Sequence, residues 1–141
     1  MIDKLEITID VIIHATEDIS KIFQSFEILD IKEEDFLINE TTGYFENPII
    51  ILNTKIVKKQ AQNFMKKLLK LLSIEQIQKL IDEIEERTID SKFHMRLDKQ
   101  ELIKGTLVLS EKDTIKIKIY TPIYNKKETI EKFSEVFQLV N

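Results

Sequence analysis

The 141-residue chain has no cysteine and no tryptophan, and only two glycines, two prolines and two histidines. Without cysteine there is no disulfide framework, no thiolate nucleophile and no cysteine-based zinc site. His14 and His94 stand far apart without His-x-x-x-His spacing, so no metal site is expected. Two glycines exclude a glycine-rich phosphate loop, and with so little glycine and proline no linker or low-complexity tract is read. No apolar run approaches bilayer length, Ile49–Leu52 being among the longest, so no membrane association is expected. The start, Met1-Ile2-Asp3-Lys4-Leu5-Glu6, has no basic stretch leading into an apolar one. A soluble, cytoplasmic protein without a secretory signal is therefore expected. No serine, histidine and acid arrangement has supporting context, so no catalytic residue and no cofactor are assigned, and a non-enzyme is expected.

What the chain does have is charge, 33% of its residues, at a globular 43% hydrophobic content. The net charge of −4 speaks against a polyanion binder in the simplest reading. The distribution softens that objection. Residues 1–47 carry 3 basic and 12 acidic side chains, whereas residues 48–72 carry 6 lysines and no acid. Residues 73–91 return to 2 basic against 6 acidic, and residues 92–141 carry 10 basic against 7 acidic. A locally positive field can hold phosphate while the far side of the molecule is negative.

Leu5, Ile7, Ile9 and Val11 alternate with polar residues, which predicts a half-buried strand. Thr16 suits a helix N-cap, with Ile19, Ile22, Phe23 and Phe26 following at helical spacing to about Ile28. Phe36, Ile38 and Glu40 suggest a modest strand. The β-branched run 49–57 reads as a central strand, with Pro48 confined to its first position. Lys58–Leu72 reads as a helix burying Ala61, Phe64, Met65, Leu68, Leu71 and Leu72, with lysines outside the stripe. Ser73 and Gln76 form a capping box for a second helix. Phe93, Met95 and Leu97 alternate with Lys92, His94 and Arg96 in another strand. Residues 106–110 and 114–120 read as a hairpin, and Asn125 caps a final helix burying Ile130, Phe133, Phe137 and Val140.

The order β-α-β-β-α-α-β-β-β-α predicts an α+β fold in a single domain, 1–141. It is a two-layer sandwich in which a mostly antiparallel or mixed sheet carries helices on one face.

Three stretches sit where elements stop: His14-Ala15-Thr16-Glu17-Asp18, Gly43-Tyr44-Phe45-Glu46-Asn47-Pro48, and Arg96-Leu97-Asp98-Lys99-Gln100 with Gly105 beyond. Each has a structural reading. His14 can close a strand and fix the following turn. Gly43 and Asn47 supply hairpin geometry, glycine through its access to positive φ. Asp98 with Glu101 fits a capping box and Gly105 a C′ position, but a cap needs neither Arg96, Lys99 nor Gln100. Arg96 shares a strand face with Lys92 and His94, which implies a basic ridge on the sheet.

Together these stretches resemble the small archaeal family described as predicted RNA-binding exosome subunits, over roughly residues 4–120. The resemblance implies RNA binding as an accessory to an RNA-processing assembly, with its proteins as partners. On that reading His14 bonds a base edge or phosphate, and Asn47 offers its amide beside Tyr44 or Phe45 as a stacking surface. Arg96 and Lys99 contact phosphates, Gln100 reads a base edge, and Lys59 and Lys66 extend the basic surface. Two places depart from the pattern: Glu46 stands where the family tends toward a second glycine, and Leu102-Ile103-Lys104 replaces a small residue and an aromatic. The rival reading is a protein-interaction module without nucleic acid, a homodimer pairing exposed strand edges or apolar surface. A hydrolase using clustered carboxylates and a divalent ion ranks below both.

Overall fold

The computed structural model describes residues 4–43, 46–112 and 114–138. Six antiparallel strands form one open sheet in the order β2-β3-β1-β6-β5-β4. They are β1 (Glu6–His14), β2 (Leu37–Thr42), β3 (Pro48–Val57), β4 (Thr88–Ile89), β5 (Lys92–Asp98) and β6 (Thr114–Tyr120). The helices are α1 (Ile19–Ser25), α2 (Lys58–Leu71), α3 (Ile74–Asp82), α4 (Ile84–Arg87), α5 (Lys99–Ile103) and α6 (Thr129–Val136). The chain is α+β, as its patterning predicts.

Alternation decides which face each strand buries. Ile7, Ile9, Val11 and Ile13 of β1 are at most 1% exposed, and Ile56, Ile117, Ile119, Phe93 and Met95 join them from neighbouring strands. Phe26, Phe64, Leu68, Phe133 and Val136 close this core from the helical side, so α1, α2 and α6 lie on one face. Burying each such side chain contributes about 1.5–3 kcal/mol. Phe93 packs between Phe133 and Phe137, with ring centroids at 5.6 and 5.0 Å. The opposite face carries the other half of the alternation and, among the described residues, has no helix on it. Ile12 and Val57 there remain 42% and 38% exposed.

Local signals hold with two shifts. Ser73 caps α3, its hydroxyl accepting from the Gln76 amide at 3.1 Å, and Asp98 caps α5 by accepting from the Glu101 amide at 2.8 Å. Gly105 follows α5 at φ +90°. The cap of α1 is Asp18, which accepts from the Ser20 amide at 2.9 Å, and not Thr16; Thr16 belongs to the turn leading out of β1. The hairpin expected between 106–110 and 114–120 does not form. Residues 108–110 run instead along β5, with Asp98 donating to the Val108 carbonyl at 2.8 Å and Ser110 to the Arg96 carbonyl at 3.1 Å. The Gln76 side chain holds that segment there, bonding the Leu107 carbonyl at 3.1 Å and the Leu109 amide at 2.8 Å. A capping-box glutamine was expected at that position; its amide bridges to another element instead.

Topology explains why the three turns gather. β1 and β5 are both antiparallel to the intervening β6, so they run parallel to each other and end at the same end of the sheet. β3 starts there, Ile49 pairing with His14.

Candidate nucleic-acid interface

On the helix-free face, β5 and β6 place Lys92 beside Tyr120, His94 beside Lys118 and Arg96 beside Lys116. Residues directly opposite in an antiparallel pair share a face, with neighbouring strands about 4.8 Å apart. Lys92, Arg96, Lys116 and Lys118 therefore form a compact basic ridge, and among the described residues none of them forms an ion pair. The field is felt by His94, whose pKa is lowered by burial first and then by Lys118, Lys92 and Arg96. The face's acids are engaged on β1. Glu6 pairs with Lys55 at 3.4 Å, and Asp10 accepts a hydrogen bond from the Asn53 amide. Beside the ridge lies an apolar floor of Ile12, Ile51 and Leu37.

His14 ends β1 on this same face, and its backbone amide donates to Glu17 Oε1 at 2.8 Å. Asn47 is exposed before Pro48, and its carbonyl accepts from the Gly43 amide at 2.8 Å. These two turns meet: His14, Ala15, Thr16, Gly43, Asn47, Pro48 and Ile49 line a cleft of about 400 Å³. Gly43 does not serve in the way expected. Its φ is not positive; instead the Ile49 side chain lies over it, and a Cβ there would oblige that side chain to move. Glu46 holds the left-handed conformation of this turn, at φ 59°. Only glycine adopts this φ without steric cost. Tyr44 and Phe45 lie outside the described residues.

Arg96 is exposed on the ridge as expected, but three of the predicted contacts stand elsewhere. Lys99 is 1% exposed, its Nζ donating to the Ile12 carbonyl at 2.6 Å and to Glu17 Oε1 at 2.9 Å. The expected phosphate contact fails there because the ammonium is committed inside the protein. The last β1–β6 pair is Asp10–Lys116, so the Ile12 carbonyl lies beyond the ladder and needs another donor. Lys59 and Lys66 belong to α2, which buries Ala61, Phe64 and Met65 in the core, so they stand on the opposite side of the sheet from Arg96 and cannot extend its surface. Gln100 is exposed, and its amide donates to Glu17 Oε2 at 3.3 Å.

Glu17 is thus the joint, accepting from its own turn and from two residues of α5. Sequence reasoning took it for a helix-end charge. It also left Lys116, Lys118 and Tyr120 out of the site, although their alternation with Ile115, Ile117 and Ile119 places them on the polar face. Their adjacency to β5 is a property of strand order. Among the described residues no group of acids and histidines can hold a metal ion, and no helix is long and apolar enough to cross a membrane.

The sheet is covered by helices on one face and, among the described residues, carries cations without ion-pair partners on the other, an arrangement with the positive field that attracts polyanions. A family model described as RNA binding matches residues 6–121, and the chain belongs to that family. It is 34% identical over 135 residues to RNA-binding protein PAB1135 of Pyrococcus abyssi, covering 89% of this chain and 88% of that one. It is also 34% identical over 137 residues to the uncharacterized protein MJ0213 of Methanocaldococcus jannaschii, covering 89% and 91%. Among solved structures, protein AF2318 from Archaeglobus fulgidus, of the DUF54 family, superposes with a TM-score of 0.80 at 26% identity, over 96% of this chain and 99% of that one.

Proposed function

We propose that this protein binds single-stranded RNA along the helix-free face of its sheet, without catalysing a reaction on it. The observation that carries this is the ridge of Lys92, Arg96, Lys116 and Lys118, unpaired among the described residues and gathered on one face by the β5–β6 register. Cations without partners release counterions when phosphate replaces solvent, which is the main source of affinity for a nucleic-acid backbone. The apolar floor and Tyr120 beside the ridge favour a strand whose bases are unstacked and laid on the sheet. Strands β1, β2, β3 and β6 with α1 and α2 follow the β-α-β-β-α-β arrangement, in which an open sheet face is a common RNA platform; this support is by analogy of fold alone. Membership of the RNA-binding family and the name of the P. abyssi relative favour the same reading. A role beside an exosome-type RNA-processing complex in the cytoplasm is what the motif resemblance adds.

The test is a titration of labelled single-stranded and duplex RNA at several salt concentrations. Four phosphate contacts on a single strand give a log–log salt slope of about −3. Single strands bind more tightly than duplex. Absence of binding at low salt overturns the reading.

One observation favours a second use of the surface. Edge strand β2 is exposed throughout, with Leu37 and Ile38 at 68% and 48%. Unpaired edges pair readily with another chain, so a homodimer through β2 is the alternative, and a concentration-dependent molecular mass is its signature.

A further inference from the structure

The cleft between the β1–α1 turn and the β2–β3 hairpin has the size of a small-ligand site, whose usual range is about 300–1,000 Å³. Its walls are of two kinds. Pro48 and Ile49 supply apolar surface, while Asn47 and Thr16 bring an exposed amide and an exposed hydroxyl. The walls are held in place. Gly43 donates to the Asn47 carbonyl across the hairpin, and the absence of a Cβ on Gly43 lets Ile49 lie over it. The opposite wall is fixed through Glu17, which accepts from the His14 amide and from Lys99 in α5. A preorganised concave site of this kind binds one flat, polar-edged group better than it binds a flexible chain.

Its position adds the second argument. His14 lies four residues along β1 from Asp10, the partner of Lys116, a distance of about 13 Å. The path between them crosses Ile12 and its partner Ile51 on the helix-free face. A strand held by its phosphates on the ridge therefore runs over an apolar floor into the cleft.

We propose that the cleft receives a single unstacked nucleobase of the bound RNA, with the Asn47 amide and Thr16 hydroxyl bonding its polar edge and Ile49 and Pro48 against its face. The inference rests on the proposed RNA reading and adds base selection to it. The ridge sets strength, and the cleft sets preference. An amide is suited to this work because it presents a donor and an acceptor side by side, as base edges do.

The experiment titrates the full chain with eight-nucleotide homopolymers of U, C, A and G, and with one containing a central abasic site. Wild type is compared with Asn47→Ala, Thr16→Val and an Arg96→Ala, Lys116→Ala double variant, each shown folded by its thermal transition. Wild type is expected to prefer one homopolymer and to bind the abasic strand more weakly. Asn47→Ala is expected to lose about five-fold or more on the preferred strand, to level the four homopolymers and to keep the salt slope. Thr16→Val is expected to act in the same direction. The double variant weakens all strands alike and flattens the slope. If Asn47→Ala and Thr16→Val bind every homopolymer as wild type does while the double variant weakens, the cleft proposal is overturned and the ridge reading stands. If wild type binds no strand, or the double variant binds unchanged, both fall.

Discussion

Glu17 holds Lys99 from the far side of the chain: Oε1 meets Nζ at 2.9 Å, with the lysine 1% and the glutamate 15% exposed at their side chains. The pair ties the turn after β1 to the helix after β5, and the same Oε1 accepts the His14 amide. Two motif stretches more than 80 residues apart are thereby one structural unit.

Removing one partner leaves the other charge uncompensated in the interior, which costs about 3–5 kcal/mol. Glu17→Gln leaves the fully buried Lys99 ammonium and is therefore expected to lower stability by that amount, and Lys99→Met by somewhat less because the Glu17 it leaves is partly open to water. Denaturant titration measures both. The Glu17→Gln, Lys99→Met double variant is expected to lose less than the sum of the two, since they remove one interaction. A Lys99→Met protein of wild-type stability contradicts the geometry. Weaker RNA binding in any Lys99 variant reports a loosened joint, not a lost phosphate contact.

The two basic surfaces separate in a binding assay. Lys59 and Lys66 stand on the helical side, away from the ridge. A Lys59→Ala, Lys66→Ala variant is expected to bind single-stranded RNA within about two-fold of wild type. The Arg96→Ala, Lys116→Ala variant is expected to make the salt slope shallower by roughly 1.4, or 0.7 per contact. Equal losses in the two variants would point to diffuse attraction in place of a defined face.

His94 predicts a pH dependence with a definite sign. Its pKa in the folded protein lies below the ordinary 6.5, through burial and the cations Lys118, Lys92 and Arg96. Above pH 6.5 the imidazole is neutral in both folded and unfolded chains and contributes nothing. Below it the unfolded chain takes up the proton first, so stability falls as pH drops from 6.5 toward the folded value. His94→Gln is expected to reduce that acid-side loss in pH-dependent denaturant titrations. Bound phosphate offsets the surrounding cations, so RNA is expected to raise the His94 pKa. Imidazole NMR titration with and without RNA reads this directly, and an unchanged pKa at saturating RNA places the strand off the ridge.

Glu46 occupies a left-handed backbone position at φ 59°. A non-glycine residue there costs about 1–2 kcal/mol. Glycine recovers part of this and gives some back through the freedom of the unfolded chain. Glu46→Gly is expected to be neutral to about 1 kcal/mol stabilising by thermal or denaturant unfolding. It also removes a negative charge beside the cleft, so RNA affinity is expected to rise. Glu46→Ala keeps the strained φ and should show the charge effect without the stability gain.

Local chemistry was legible in the sequence. Period-two alternation marked β1, β5 and β6 and told which side chains of each face the core. The serine and aspartate caps marked the starts of α3 and α5. Arg96, Lys92 and His94 could be put on one polar face because side chains alternate along any strand. Relations between elements were not legible. Lys99 carries the same charge as Lys116, but only the folded chain puts it beneath a carbonyl left beyond the β1–β6 ladder, where burial with Glu17 is favourable. Residues 106–110 have strand character, yet the Gln76 amide draws them along β5 and prevents the hairpin. Gly43 looked like a positive-φ turn glycine, and only the tertiary structure shows that its φ is ordinary and that Ile49 lies over it. Sequence determines which residues seek water and which avoid it, because hydrophobicity and backbone preference are local. Strand order decides which cations become neighbours and which are buried, because electrostatic and packing energies depend on distances that only the tertiary fold creates.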